Sequence, residues 1–524
     1  MSQAILRRVA VHDRFQLEMK LGFPLVRGRK TRYRIDTYIF VPQSLGVNAV
    51  TYGRNDFYRD IQHYVRMKTP QLTLRALLEE PSSPLCDSEK VLATHPANLS
   101  AELERRLRDS FRFLRAILKS ALQEAALPMT RPAPAASAAR AAVFVAVASA
   151  VLEDAVAIME RYRFLGIALA RAQAGAALQR TYRLTDESMS LLIEEALLKL
   201  HEQAGLWLPA EERTAWRERL AAQIRSEIAH RQVQGYPSVL TKQTQDDYLL
   251  RVSALKKFTS SVLWLPTSLR REGTTWEQVL FSIVAGISMV FATVVAFYAQ
   301  SIYGQFTLPV FVALVVAYMF KDRIKEQGRA MSASFLSRRL HDYRTVIQTQ
   351  DEQRTLGYVR EKMTYVDPSR VPEEVREVRE AGAFGEVDLP SQRETVILYT
   401  KEVSLNEAAF RYIYEHDLGG HAINDIMRYD VRPFLRKMDD PRQEKLMLDG
   451  DRVVRVRCHR TYHLNLVSVF RSAEQEAPTS ERTLLVLDRK GICSIAQFDE
   501  AGGLLDSAAQ ADHLVEATEA EYAP

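Results

Sequence analysis

The sequence is poor in cysteine and lacks the short motifs by which many enzymes are identified. Its 524 residues include only three cysteines, Cys86, Cys458 and Cys493, which are too few for a disulfide framework and are typical of a reducing compartment. It contains no G-x-x-x-x-G-K-[S/T] phosphate loop, no G-x-G-x-x-G, no G-x-S-x-G elbow, no H-E-x-x-H and no paired C-x-x-C. We therefore predict no cofactor and no metal centre, and an enzymatic function would need an active site assembled from distant residues.

A second absence is the lack of charge over residues 278–320, where 43 consecutive residues include no Asp, Glu, Lys, Arg or His. About 20 apolar helical residues cross the roughly 30 Å hydrocarbon layer of a bilayer, so this stretch is long enough for two crossings. We predict a transmembrane hairpin over residues 277–320, with spans at about 278–299 and 304–320. Because the hairpin has no ionisable groups, it is predicted to be a membrane anchor rather than a transporter. A pore formed by oligomerisation is the alternative.

Residues that flank these spans match those found at membrane interfaces. Ser288, Ala292 and Ala296, spaced four apart within the first span, would let the second helix approach closely.

Basic residues precede the first span and follow the second, so both termini and both flanking regions are predicted to be cytoplasmic. The first 20 residues lack a long apolar core, and no secretory signal peptide is predicted. The predicted membrane-interface residues are Lys256, Lys257, Trp264, Arg270, Arg271, Trp276, Tyr298, Tyr303, Tyr318, Lys321, Arg323 and Lys325.

The predicted fold class is a membrane protein with a two-span helical hairpin between two cytoplasmic regions. The first region is mainly helical (α+β), and the second is a smaller α+β domain that ends in a β-meander. The predicted layout is residues 1–126 as an N-terminal α+β domain, 127–138 as a Pro/Ala linker, 139–272 as a helical region with a juxtamembrane amphipathic stretch, 277–320 as the hairpin, 321–385 as a helical connector, 386–498 as the C-terminal α+β domain and 499–524 as an acidic disordered tail.

Local patterns add detail to the first half of the chain. Alternating polarity over 14–21 and 31–41 predicts two strands that pair as a hairpin. Residues 57–78 are predicted to form a helix broken near Pro70, and a leucine stripe predicts a helix over 99–126. The small apolar run at 141–152 is predicted to be a buried helix, and Thr185 is predicted to begin another, with Asp186 and Glu187 in its first turn.

The second half shows strand-forming and capping patterns. Residues 321–360 are predicted to continue as helix after the second span, and residues 394–403 to form a strand. Ser404 and Glu407 have the spacing of a capping box, which predicts a helix over 405–418. The predicted meander consists of strands at 453–458, 462–470, 483–487 and 492–498.

Two histidine clusters are the candidate chemical sites. Glu415, His416, Asp417 and His421 are the candidate catalytic residues, although a histidine in the last turn of a helix is more simply explained by the helix dipole. Cys458, His459 and His463 are the candidate metal ligands. If this run is one continuous strand, the two histidines lie about 13 Å apart and cannot share a metal, whereas a turn at Arg460 would bring them together.

The predicted function is that of a membrane-anchored cytoplasmic scaffold or signal-relay protein, acting through a protein partner or a second copy of itself. One alternative is a membrane-bound enzyme whose active site lies in the C-terminal domain. Another is binding of anionic lipid headgroups, or of nucleic acid, by residues 1–75, which carry fourteen Lys or Arg against five Asp or Glu. No nucleic-acid-binding motif accompanies that charge. Alanine and arginine richness is typical of GC-rich bacterial genomes, so the plasma (inner) membrane is the predicted location.

Overall fold

The contacts within the chain separate it into two units, a sheet unit and a helical unit. The computed structural model describes residues 6–25, 30–97, 99–130, 137–241, 243–304, 307–349, 354–381, 394–406, 422–439, 442–450, 452–472 and 477–508. The sheet unit comprises Met1–Val65, Pro266–Ala409 and Asn424–Pro524, and the helical unit comprises Arg66–Leu265 and Phe410–Ile423.

Fifteen strands are formed by the described residues. They are β1 (Leu6–Asp13), β2 (Gln16–Pro24), β3 (Lys30–Pro42), β4 (Ile61–Met67), β5 (Thr267–Arg271), β6 (Tyr343–Gln348), β7 (Thr355–Val366), β8 (Glu394–Asn406), β9 (Ala422–Asp430), β10 (Arg442–Asp449), β11 (Arg452–His459), β12 (Tyr462–Ser472), β13 (Thr479–Asp488), β14 (Gly491–Phe498) and β15 (Leu504–Ala508).

A nine-stranded antiparallel sheet forms the centre of the sheet unit. Its order is β15-β14-β13-β12-β3-β8-β7-β6-β5, so consecutive strands make a meander at each end and the N-terminal β3 lies between β12 and β8. A second sheet has the order β1-β2-β9-β4, and β10 and β11 form a two-stranded sheet. Because side chains alternate along a strand, each face of the nine-stranded sheet can carry its own core.

The described residues of the sheet unit form an apolar core on each face of this sheet. One core joins it to the four-stranded sheet and to helices α1 (Arg54–Asp60) and α13 (Arg432–Leu435). It includes Met19 of β2, Ile397 of β8 and Met427 of β9. The other core packs α12 (Glu373–Glu380) against the opposite face, where Val375 meets Phe40 of β3 and its neighbours.

In the helical unit, the described residues form eight α-helices around one apolar core. They are α2 (Leu74–Glu79), α3 (Pro84–Thr94), α4 (Ala101–Thr130), α5 (Ser137–Ala150), α6 (Val156–Arg171), α7 (Ala176–Trp207), α8 (Ala210–Val233) and α9 (Gln245–Ser260). The predicted stripe on α4 is buried at Leu107, Phe111 and Leu118. The predicted buried helix at 141–152 is confirmed, because Phe144 and Val147 lie in the same core.

Two long helices, α10 (Thr274–Tyr303) and α11 (Leu308–Arg339), occupy the stretch between β5 and β6. They pack against one another through small residues, since a Cβ added at Gly328 would overlap the side chain of Val284. Ser288 and Ala317 are buried, and Ala292 is half-buried. The predicted helical hairpin and its small contact face are therefore confirmed, as is the turn residue Gly304, which has a φ of 73°.

The structure divides the chain differently from the predicted layout at its N-terminal end. The first strands do not belong with residues 66–126, because β3 pairs with β8 and β12 from the C-terminal part of the sequence. The predicted pairing between residues 14–21 and 31–41 is wrong for the same reason. Both strands exist, but β2 pairs with β1 and β9 instead. Residues 61–67, predicted as helix, form β4.

Three corrections concern the C-terminal half. The predicted helical connector ends at Arg339, and residues 343–366 supply β6 and β7, because their alternating side chains find strand partners in β5 and β8. Leu405 and Asn406, predicted to begin a capped helix, continue β8, and the rest of that helix lies outside the described residues. Leu504–Ala508, placed in the acidic tail by composition, pairs with β14 as β15. The four predicted strands of the meander are formed, but the first, β11, pairs with β10 in a separate sheet, so that β12, β13 and β14 make up the observed meander together with β15.

We predict that Gly357→Ala destabilises the sheet unit by about 1–3 kcal/mol. A Cβ at this position would overlap the carbonyl oxygen of Ser404 on β8 and lie 3.2 Å from Cα of Leu405, so the two paired backbones would have to separate. Gly286→Ala is the matched control, because a Cβ there meets nothing within 4 Å. Thermal unfolding in detergent should show a lower midpoint for the first variant alone, and equal midpoints would contradict the close β7–β8 contact.

Candidate functional site

The most exposed apolar surface of the described residues lies on α10 and the first half of α11. Two helical segments among those residues, Ala138–Arg171 and Thr274–Tyr303, are long and apolar enough to cross a membrane. The first contributes to the core of the helical unit and is 39% buried over its most apolar window, whereas the second is 6% buried. Phe297 is 68% exposed on α10 and Leu308 is 75% exposed on α11. The apolar part of α11 ends at Lys321, after which the helix becomes charged.

The predicted interface residues fall into two groups. Lys256, Lys257 and Trp264 belong to the helical unit, and the other nine lie on β5, α10 or α11 of the sheet unit. Trp276 is 65% exposed in the first turn of α10, where it precedes the charge-free stretch. At the other end of that stretch, the ammonium group of Lys321 lies 3.9 Å from the centre of the Tyr318 ring.

The base of the hairpin is fixed to the sheet unit by the carboxylate of Asp342, which lies between α11 and β6. One of its oxygens is 3.2 Å from the guanidinium of Arg54. The other accepts hydrogen bonds from the hydroxyl of Tyr58, at 3.0 Å, and from the backbone amide of Met363, at 2.8 Å. One side chain therefore connects the end of the hairpin with α1 and with β7.

A second set of charged side chains forms ion pairs on the other side of the hairpin base. The two ring nitrogens of His341 lie 3.6 Å from a carboxylate oxygen of Glu272 and 3.5 Å from one of Glu402. Arg360 lies 3.1 Å from the other oxygen of Glu272. Burial lowers the pKa of His341 below its usual value, against the opposing effect of the two carboxylates. Gly273, which precedes α10, has a φ of 85°, and a Cβ there would overlap Leu340.

Helix α1 is only seven residues long, but it contacts the hairpin base, the apolar core of the sheet unit and a cleft. Arg54 and Tyr58, four residues apart, share one face of the helix and both contact Asp342. Phe57 is buried in the core of the sheet unit, with its ring 5.3 Å from that of Tyr399. On the remaining side, Asp56, Arg59 and Asp60 line a cleft.

That cleft has a volume of about 760 Å³, which is within the usual range of small-molecule sites. It lies wholly in the sheet unit, between α1, the loop after β3, and the segment around α13. Its charged lining residues are Asp56, Arg59, Asp60, Arg428, Asp430, Arg432, Arg436 and Lys437.

The carboxylates of the cleft each have a partner. The hydroxyl of Tyr52 donates to Asp60 at 2.9 Å, and Asp430 receives two hydrogen bonds from Nε of Arg432, at 2.8 and 3.0 Å. Burial raises the pKa of Asp60, aided by the nearby charge of Asp430. Five Arg or Lys side chains against three Asp side chains in the lining give the cleft a net positive charge.

Next to α1, a compact charge network is buried between the two sheets. Lys401 of β8 is ion-paired with Asp425 of β9, and His63 of β4 lies 3.0 Å from Glu361 of β7 and 3.8 Å from Asp425. The hydroxyl of Tyr399 donates to Glu361. Two cations thus face two carboxylates, and Lys401, Glu361 and Asp425 are each no more than 2% exposed.

The charges in this network stabilise one another against the cost of burial. Burial would raise the pKa of Glu361, but the charge of His63 and its neighbours lowers it to about 2. Burial acts in the same direction on Asp425, and the ammonium group of Lys401 lowers its pKa to about 2. The pKa of His63 is lowered by burial and raised, on balance, by Glu361. The closed, balanced arrangement is that of a structural network.

The helical unit has a buried polar network of its own, centred on α7. Asp186 is 2% exposed, lies 3.2 Å from Arg163 and 2.9 Å from His230, and accepts a hydrogen bond from Tyr236 at 2.9 Å. Arg163 also pairs with Glu227 at 2.7 Å. The prediction that Thr185 begins a helix is wrong, because α7 begins at Ala176 and places these acids in mid-helix.

The candidate residues from the sequence are not brought together in the described part of the chain. Glu415, His416, Asp417 and His421 lie outside the described residues. Cys458 is exposed on β11 and His463 is exposed on β12, strands that belong to different sheets, with His459 at the end of β11. Among the described residues, no group of three or more His, Cys, Asp or Glu side chains could hold a metal ion.

Several basic residues of the N-terminal segment are paired rather than free. Lys20 lies 2.8 Å from Glu18, and Arg34 lies 3.7 Å from Glu402, which comes from β8. The local excess of positive charge in the sequence is therefore offset in part by acids supplied from elsewhere in the same unit.

Comparisons with protein-family profiles, with curated proteins and with solved structures return no match, so function is inferred from residues and geometry alone.

The buried network and the cleft were not predicted from the sequence, although the network left a signal there. His63 occupies one position of the alternating series Ile61, His63, Val65 and Met67, which indicates a histidine on the buried face of a strand. Lys401 likewise lies on the same face of β8 as Ile397 and Tyr399. The pairing that joins them is set by strands distant in sequence.

We predict that Lys401→Met destabilises the sheet unit by about 3–5 kcal/mol, because it leaves Asp425 buried without its cation. The double variant Lys401→Met/Asp425→Leu should recover part of this loss, since it removes both charges at once. Chemical unfolding in detergent measures the free energies. A single variant as stable as the wild type would contradict the buried pair.

The pH dependence of stability tests the position of His63. Its folded pKa is raised, so the stabilisation from its charge is complete below the unfolded value of about 6.5 and is lost as pH rises through the folded value. The difference in unfolding free energy between wild type and His63→Gln should therefore shrink as pH rises above the unfolded value of about 6.5. His463→Gln, at an exposed site, is the control. A difference that grows with pH would contradict the assignment.

Proposed function

We propose that this protein is anchored in the plasma (inner) membrane by the α10–α11 hairpin and acts as a cytoplasmic scaffold or signal relay. The observation that carries the proposal is the exposed apolar surface of the hairpin, and in particular of α10, whose most apolar window is 6% buried. Leaving so much apolar surface in water is unfavourable by about 25 cal/mol per Å². A lipid environment removes that cost, and the backbone of two helices is hydrogen-bonded internally, as lipid requires.

The connection of the hairpin to the sheet supports a relay rather than a passive anchor. β5 ends at Arg271 and α10 begins at Thr274, while α11 ends at Arg339 and β6 begins at Tyr343. β5 and β6 are paired with each other, so the hairpin is inserted between two adjacent strands. A tilt or rotation of the helices would act directly on the edge of the nine-stranded sheet, through connections of only a few residues.

The charge distribution along α10 and α11 supports the cytoplasmic orientation of the sheet unit. Arg270 and Arg271 precede α10, and Lys321 and Arg323 follow the apolar part of α11. All lie at the end of the hairpin that joins the sheet, and basic residues favour the cytoplasmic side. Residues 278–320 carry no ionisable group of the kind that transport requires, which favours an anchor over a transporter. An anchored scaffold acts through binding, and the partner is proposed to be another protein or a second copy of the chain.

We predict that Val294→Arg moves the protein out of the membrane fraction. Val294 is 60% exposed near the middle of α10, and an arginine at the centre of a span costs about 2.5–3.5 kcal/mol. Val233→Arg makes the same change at a valine that is 84% exposed on α8, and it should stay with the membranes. Carbonate extraction followed by sedimentation separates the outcomes. Equal partitioning of the two variants would contradict the anchor.

Topology can be tested by cysteine labelling in a bacterial host. An impermeant maleimide added to intact cells should label Tyr303→Cys, at the far end of α10, in a background that keeps the exposed Cys458. Cys458 should be labelled only after the inner membrane is permeabilised, which also controls for its reactivity. Labelling of Cys458 in intact cells, with Tyr303→Cys protected, would reverse the proposed topology.

A further inference from the structure

We propose that the cleft of the sheet unit binds a phosphorylated, hydroxyl-rich small molecule of the sugar-phosphate class, and that α1 couples its occupancy to the base of the hairpin. The first half of this inference concerns binding alone. The second half rests on the proposed relay function, and the two are tested separately below.

Two adjacent cations provide the phosphate-binding chemistry. Arg436 and Lys437 follow α13, line the cleft and are exposed. Among the described residues, no carboxylate lies within ion-pair distance of either, whereas Arg432 is held by Asp430 and Arg59 by Asp56 at 2.9 Å. A guanidinium can bind two phosphate oxygens at once, and an ammonium group adds a point charge beside it.

The loop after β3 positions one of these cations. Nζ of Lys437 donates to the carbonyl oxygen of Gly46 at 3.1 Å, and the hydroxyl of Thr51 donates to the same oxygen at 2.6 Å. Gly46 has a φ of 59°, and a Cβ there would lie 3.0 Å from the ammonium nitrogen. Glycine therefore satisfies both the backbone conformation and the close approach of the lysine.

The same cleft also offers acceptors and amides for hydroxyl groups. Asp60, with the hydroxyl of Tyr52 against it, lines the cleft together with the side-chain amides of Gln16 and Gln62. Carboxylate and amide groups of this kind bind sugar hydroxyls, which a simple anion does not offer. A volume of about 760 Å³ accommodates a phosphorylated sugar. Cations and hydroxyl-binding groups in one cleft thus favour a sugar phosphate over a simple anion.

Helix α1 is the element that joins the cleft to the hairpin. Its residues Asp56, Arg59 and Asp60 line the cleft, and its residues Arg54 and Tyr58 contact Asp342 at the hairpin base. A seven-residue helix moves as a unit, so a ligand that displaces one side of it changes the contacts on the other. By thermodynamic linkage, a change at Asp342 must then alter the affinity of the cleft.

Binding is tested with the full chain in detergent, using glucose 6-phosphate as the probe and thermal shift or calorimetry as the readout. The wild type should bind glucose 6-phosphate more tightly than either glucose or inorganic phosphate. Arg436→Gln/Lys437→Gln should weaken binding by at least about tenfold, the equivalent of one charge-assisted hydrogen bond. A short-chain phosphatidylglycerol below its micellar concentration is the second arm, and tighter binding of it than of glucose 6-phosphate would assign the cleft to a lipid headgroup.

The matched control is Arg452→Gln/Lys445→Gln, which removes the same two charges from the exposed strands β10 and β11. It should bind within twofold of the wild type. The single variant Arg436→Gln leaves the Lys437 contact with Gly46 intact, so the loop keeps its structure. Weaker binding by this variant than by the wild type would show that the loss comes from the missing charge and not from a disordered loop. Absence of binding by the wild type at about 10 mM probe, or equal binding by both double variants, would overturn the site.

Coupling is tested by Asp342→Asn, a change outside the cleft lining. It should shift the affinity for glucose 6-phosphate by more than about threefold, while Asp367→Asn, at an exposed turn, leaves it unchanged. An unchanged affinity in Asp342→Asn would overturn the coupling but not the binding site. Both affinities are measured in detergent, so neither depends on whether the hairpin lies in a bilayer. The anchor proposal is tested separately, by membrane fractionation and cysteine labelling.

Discussion

The carboxylate of Asp342 is the point on which the architecture of the sheet unit depends. It is three residues beyond the end of α11 and one before β6, and it binds Arg54, Tyr58 and the backbone of β7 at the same time. Without it, the two long helices would be joined to the sheet by the backbone of β5 and β6 and by the contacts of Glu272 and His341, but not to α1. With it, the apolar hairpin, the short helix α1 and the nine-stranded sheet share one charged contact.

The interior of the sheet unit next to α1 combines apolar packing with buried ion pairs. Phe57 of α1 packs on Tyr399, whose hydroxyl donates to Glu361, and Glu361 is paired with His63. Ion pairs without water offset their desolvation only when every partner is in place. The register of β4, β7, β8 and β9 is therefore constrained more strongly than apolar packing alone would require, since a shift of one residue would turn these charges to the other face.

The sequence was most informative where structure depends on neighbours along the chain, and least informative where it depends on distant pairing. The hairpin helices, α4 and the strands of the meander were predicted because each has its own periodicity. The position of β3 between β8 and β12 could not be predicted, because alternation identifies a strand but not its partner. The same limit hid the cleft, since Asp60 and Arg436 come together only after the N- and C-terminal segments pair.

Hydrogen exchange of the full chain in lipid nanodiscs, comparing wild type with Asp342→Asn, tests the coupled architecture most directly. Asparagine keeps the size of the side chain but loses the charge that holds Arg54. If α1 joins the hairpin base to the cleft, amides of residues 54–60 and of the loop 46–52 exchange faster in the variant, together with those of 340–343. Faster exchange confined to 340–343 would contradict the account, because the hairpin would then be attached to the sheet without any connection to the cleft.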